Sequence, residues 1–155
     1  MMMHLPERGS SLERQPESQV SQLAALVRRH KHGDELAGLA IGELVLLSRA
    51  GSRPGKRWLC DVADRVGMCK SALYARERLA RCWTSMEYEC LVRRRGPFGA
   101  RLFEAHLLVI SQITVAAERT ALLERVLNEG LSVRDLKAIV CSEAPKRAST
   151  RRIRV

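Results

Sequence analysis

The stretch Leu59-Cys-Asp-Val-Ala-Asp-Arg-Val-Gly-Met-Cys-Lys-Ser-Ala-Leu-Tyr-Ala-Arg-Glu-Arg-Leu79 decides how this chain is read. Val62 and Val66 stand one helical turn apart and give a first short helix its apolar face. Ala63 is small enough to let a second helix cross closely. Gly67 falls where the chain must turn sharply, often at positive φ, a conformation that glycine adopts without strain. Met68 and Leu73 then fill the angle between the two helices. Cys69 or Ser71 opens the second helix, where a hydroxyl can cap exposed N–H groups. The unit at about 58–80 therefore reads as a helix-turn-helix, with Lys70, Ala72, Tyr74, Ala75, Arg76 and Arg78 exposed on its second helix.

The flanking segments are also helical. Upstream, Val20, Leu23, Ala24 and Val27 keep the spacing of an amphipathic helix over roughly 18–30, ending near His32-Gly33. His30 and His32 are expected to be solvated at that end. Asp34 is placed to cap a helix running to about Ser48, dense enough in apolar residues to be buried on most sides. Gly51-Ser-Arg-Pro-Gly55 reads as a loop. Downstream, a helix over 84–95 ends in Arg93-Arg94-Arg95 and is broken by Gly96-Pro-Phe-Gly99. A helix over 100–116 carries Leu102, His106, Val109, Ile110 and Ile113 on one face. Another, over 118–129, turns Leu122, Leu123, Val126 and Leu127 inward and stops at Gly130. Ser132-Val-Arg-Asp135 is a capping box with aspartate in the glutamate position, opening a last helix through Val140. The fold class is all-α: a bundle of short helices. Its organisation is a flexible N-terminal segment (1–17), a helical domain (18–144) and a basic, disordered tail (145–155).

Composition supports this class. Hydrophobic residues make up 46% of the 155-residue chain, enough for a core, while aromatics are only 4%, so the core is aliphatic. That balance disfavours a β-sandwich or barrel. No apolar run approaches the length of a membrane span, and the polar start of the chain shows no secretory signal, so a cytoplasmic protein is expected. The five cysteines have irregular spacing with no CxxC, which reads as reduced thiols packed as small apolar residues; no metal or other cofactor is implied.

The charge is concentrated. The net formal charge is +10, and residues 49–95 hold 12 basic against 5 acidic side chains. Residues 145–155 hold 5 basic and no acidic ones, and the remainder is close to neutral. Localised positive charge calls for a polyanion, and nucleic acid is the commonest. On a second helix lying in a major groove, Lys70, Ser71, Ala72, Tyr74, Ala75 and Arg78 are the candidates to touch bases. Arg53, Lys56, Arg57, Arg76, Arg93, Arg94 and Arg95 are the candidates to touch phosphates. The Arg93–Arg95 run has a plainer reading as cations at a helix C-terminus, and the tail one as a solubilising segment. No phosphate loop, HExxH, GxSxG or Cys/His pair with plausible geometry is seen, so neither catalysis nor a small-molecule substrate is expected. Nor is a membrane partner.

From Val62 to Val140 the chain resembles the helix-turn-helix and linker-helix region of ParB/KorB-type partition proteins. Three pieces match in order: Val62 to Leu73, Leu102-Phe-Glu-Ala-His106 with the apolar residues after it, and Leu122 to Val140. Gly130-Leu-Ser-Val-Arg134 is the most specific of these. The resemblance implies a homodimer that recognises a short palindromic site in double-stranded DNA, with Lys70, Ser71 and their helix neighbours facing bases. It also implies that the helix begun by Ser132-Val133-Arg134 supports the module or touches the backbone. The segment before Trp58 reads as helices rather than as the family's nucleotide-binding domain, so neither CTP binding nor clamp sliding is implied. Leu107-Leu108 replaces the small and basic residues usual after the family's histidine. The expected function is thus a sequence-specific DNA-binding protein, a nucleoid-associated transcriptional regulator or partition accessory factor. The alternative is a helical protein–protein adaptor, which would expose an apolar stripe at Leu107-Leu108.

Overall fold

The computed structural model describes residues 14–51 and 58–151, with side chains described over 18–50 and 58–144. Among these residues every regular element is a helix: α1 (Arg14–Lys31), α2 (Ala37–Gly51), α3 (Trp58–Val66), α4 (Lys70–Cys82), α5 (Ser85–Arg93), α6 (Glu104–Ile110), α7 (Ala116–Glu129) and α8 (Val133–Arg151). A single antiparallel bridge between Arg95 and Arg101 closes the loop from α5 to α6. No helix here is long and apolar enough to cross a membrane.

Two aliphatic clusters form the core. The first joins Leu23 and Val27 of α1, Ile41 and Val45 of α2, Leu59, Val62, Ala63 and Val66 of α3, and Leu73 of α4. The second joins Leu39 of α2 and Leu79 of α4 to Tyr88, Leu102, Leu107, Ile110, Leu123, Leu127 and Leu136 of the later elements. α4 therefore belongs to both, with Leu73 in one and Leu79 in the other. Its tightest neighbour is α2. A Cβ built on Gly42 would lie 1.9 Å from the carbonyl oxygen of Arg76, so only glycine permits this crossing. The close approach onto α4 thus occurs at Gly42, and Ala63 of α3 is an ordinary buried residue of the first cluster.

The expected punctuation is largely present. Gly67 has φ +72°, and the N–H groups of Gly67 and Met68 both donate to the Ala63 carbonyl, closing α3 before the chain enters α4. Gly130 ends α7 in the left-handed conformation. At α8 the Ser132 hydroxyl accepts from the Asp135 N–H at 3.1 Å, and the Asp135 carboxylate accepts from the Ser132 N–H and hydroxyl. α5 carries a full capping box, Thr84 with Glu87.

Several boundaries differ from the reading above. The 100–116 helix is only α6, seven residues long. The Gln112 and Ile113 N–H groups turn to the carbonyls three residues back, the Ser111 hydroxyl donates to the Leu108 carbonyl, and Arg119 donates to the carbonyls of Ile113 and Thr114, so side chains take up carbonyls that a longer helix would have bonded. α8 continues through Pro145 to Arg151 rather than stopping at Val140. The lead-in over 1–13 and the end of the tail lie outside the described residues, and α1 already begins at Arg14. α2 is less enclosed than its composition suggests, since Leu47 is 65% exposed. Asp34 precedes α2 by three residues. Its carboxylate accepts from the Leu36 N–H, and the Arg29 guanidinium that donates to it holds its carboxyl below the ordinary value. The five cysteines are free, and all but Cys82 are exposed rather than packed inside.

Candidate nucleic-acid interface

α4 has two distinct long faces. At about 100° per residue, Lys70, Ser71, Tyr74, Ala75, Arg78 and Arg81 share one side, Ala72, Leu73, Arg76, Leu79 and Ala80 lie toward the other, and Glu77 falls at the margin beside Lys70 and Arg81. The structure follows this division. Lys70, Ser71, Tyr74 and Arg81 are exposed and Ala75 and Arg78 half-buried, whereas Leu73, Glu77 and Leu79 are buried. Five of the six expected base-contact residues therefore meet on one outward face, and Ala72, half-buried, lies on the inner side.

Arg76 is the clear correction. It was expected on phosphate, but its side chain is only 12% exposed and points inward as an ion pair with Glu104, 2.8 Å away. His30 completes that network: its Nε2 lies 2.6 Å from the other Glu104 oxygen and 3.4 Å from Arg76. His30 is thus half-buried and bonded to α6, not solvated. His32 is exposed as expected.

Glu77 builds the outward face from beneath. Its buried carboxylate accepts from Nη1 of Arg49 at 2.7 and 2.6 Å and from Nη2 of Arg81 at 2.8 Å. The Arg49 guanidinium lies 5.6 Å from the centre of the Tyr74 ring, and the Lys70 ammonium lies 5.7 Å from it. Three cations and a tyrosine thus share one continuous surface made by the end of α2 and the length of α4. Neither Arg49 nor Arg81 was singled out from the sequence. Arg81 was findable, being one turn beyond Glu77 on the helix; Arg49 was not, because its partner is 28 residues away.

At the N-terminal end of α4, Cys69 occupies the N-cap and makes no capping hydrogen bond, so the expected hydroxyl cap is absent. The Ser71 hydroxyl instead lies 3.3 Å from the Cys69 sulfur and lowers the pKa of that thiol. Lys70 stands at the first position of α4, where the helix dipole disfavours a cation, so helix stability does not account for it. Asp64 of α3 borders the same corner as Lys70. Arg78 donates to the Ser111 hydroxyl at 3.3 Å, tying the middle of the face to the end of α6.

The other predicted phosphate contacts do not join this surface. Arg53, Lys56 and Arg57 lie outside the described residues. Arg93 pairs with Glu89 on its own helix. Arg94 makes two bonds to Glu124 of α7, and Arg95 donates to the carbonyls of Val92 and Arg94 at the end of α5. This run serves as ion-paired and carbonyl-capping cations at a helix terminus.

The stripe expected of an adaptor is not exposed. Leu107 is fully buried, and Leu108 packs partly against the second cluster. His106 is a core residue with both nitrogens engaged: Nδ1 accepts from the Phe103 N–H at 3.1 Å, so Nε2 carries the proton and donates to the Leu131 carbonyl at 3.0 Å. Tyr88 is likewise fully enclosed; burial, reinforced by the Glu104 charge, pushes its phenol far above the ordinary range.

Comparison of the chain with protein-family models, with curated proteins and with solved structures finds no match.

Proposed function

We propose that this protein binds double-stranded DNA through the outward face of α4, as a sequence-specific regulator or partition accessory factor of the ParB/KorB type. The observation that carries this reading is the grouping of Lys70, Tyr74, Arg81 and Arg49 on one surface next to the tight bend at Gly67. A surface of this kind suits a groove: long basic side chains reach phosphates and guanine edges, while Ser71 and Ala75 leave room for close approach. Two copies bound to a palindrome would place two such helices about 34 Å apart, one turn of the duplex. Catalysis has no role in this reading.

The test begins with duplexes selected from sheared DNA or from a random pool by the full chain, followed by mobility shifts at two salt concentrations. Enrichment of one sequence and a steep loss of affinity with salt are expected. Lys70→Ala and Arg78→Ala should each weaken binding to the selected duplex by about 1–3 kcal/mol. Retention of no duplex at low salt, or unchanged affinity in both variants, overturns the reading.

A further inference from the structure

We propose that Glu77 is a positioning residue that holds Arg81 and Arg49, the latter beside Tyr74, side by side as a single phosphate-binding surface for duplex DNA. This rests on the DNA-binding reading above and assigns a role to groups outside the predicted base-contact set.

The starting observation is a carboxylate in an unusual place. Glu77 is 3% exposed, yet both its oxygens are used by arginines that remain at the surface: the side chains of Arg49 and Arg81 are 39% and 62% exposed. Burying a carboxylate costs desolvation energy that its partners repay only in part, so such pairs contribute little to net stability. What the arrangement does provide is placement. Two guanidiniums bonded to one carboxylate are held side by side despite their like charge, and their rotamers are fixed before any ligand arrives. Glu77 uses one nitrogen of each, and a guanidinium has five N–H donors, so donors remain for a second acceptor. The Tyr74 ring, close to Arg49, fixes the near edge of the surface, and Lys70 adds a further cation on the other flank.

A phosphodiester fits this chemistry. It offers two acceptor oxygens and one negative charge to a planar, paired donor set, the geometry for which arginine is suited and lysine is not. The surface carries three cations over one carboxylate and stays net positive with Glu77 ionised. Arg49 comes from the end of α2 and Arg81 from the end of α4, so the contact would bear on the register of α4 along the duplex without reading a base.

The decisive variant is Glu77→Gln, because two explanations predict opposite signs. It removes one negative charge, so long-range attraction alone makes binding to a polyanion tighter. Loss of positioning makes it weaker. On the duplex selected by the wild-type chain, we expect affinity to fall at least about fivefold, with a salt slope no steeper than wild type. Arg49→Lys keeps the charge and loses the paired geometry, so it should weaken binding to a similar degree. Arg49→Ala should lower the salt slope by about one. Thermal unfolding checks that each variant is folded, and should Glu77→Gln fail to fold, the two Arg49 variants decide. Wild-type or tighter binding by Glu77→Gln and Arg49→Lys, or an unchanged slope in Arg49→Ala, overturns the assignment. If Lys70→Ala weakens binding while these variants do not, only the role of Glu77 falls. If the wild-type chain retains no duplex, both readings fall together.

Discussion

Two carboxylates, one on α6 and one on α4 itself, organise the charge of this molecule in opposite ways. Glu104 of α6 draws Arg76 and His30 inward, and none of the three side chains is more than 22% exposed. Glu77 of α4 itself is buried but leaves Arg49 and Arg81 at the surface. Arg76 and Arg81 are five residues apart on one helix and equal in charge, yet only one of them is available to a partner. The number of arginines on a helix therefore says less about a polyanion surface than which carboxylate each one answers to. The Glu104 network lies where α1, α4 and α6 meet and fastens the two core clusters together. The Glu77 network shapes what that assembly shows to solvent.

The largest effect should come from breaking the inner network. Glu104→Ala leaves the Arg76 guanidinium enclosed without its counter-charge, at a cost of about 3–5 kcal/mol. Denaturant unfolding would measure it, and a midpoint close to wild type would show that Arg76 escapes to solvent and that the contrast with Arg81 is not real. Gly42→Ala comes next, at about 1–3 kcal/mol or more. Its methyl group would meet the Arg76 carbonyl and would also lie 3.1 Å from the Glu77 nitrogen, so α2 must move away from α4. That shift separates Arg49 from Glu77, so a variant that still folds should lose duplex affinity as well as stability. Lost stability with full affinity would sharpen the comparison by showing that α2 supports the fold alone.

How far this was legible in the sequence depends on the range of the interaction involved. Periodicity marked the buried faces of α1, α3 and α7, because burial follows the helical repeat within a single element. Gly67, Gly130 and the Ser132–Asp135 cap were equally local, and the bends occur where those residues stand. The inner position of Arg76 was within reach too: two residues from Arg78 is about 200° around the helix, so the two cannot share a face. Thr84-x-x-Glu87 was an unread capping signal of the same local kind. The end of α6 at Ile110 had a weaker cue, the run of β-branched Ile113-Thr114-Val115, outweighed by the apolar spacing across it. What no local pattern could supply is pairing across the chain: Glu104 with His30, 74 residues away, and Glu77 with Arg49. These depend on how helices cross, and the crossing of α2 over α4 at Gly42 is a tertiary fact.

The smallest expected effect is at the arginine run ending α5, and it tests the contrast most directly. Arg93-Arg94-Arg95 is the densest positive patch in the described sequence, so a protein that bound DNA by charge density alone would use it. Each of the three is already engaged within the fold. Arg94 in particular makes two bonds to Glu124 and in turn holds that carboxyl below its ordinary value. Arg94→Ala exposes a carboxylate as it removes a cation, yet both lie away from the α4 surface and within reach of solvent screening. Affinity for the selected duplex should therefore stay within about twofold of wild type at 0.15 M salt, with an unchanged salt slope, while Lys70→Ala lowers the slope by about one. Equal slopes for the two variants would mean that phosphates reach the end of α5, and that partnership with a carboxylate does not withdraw an arginine from DNA.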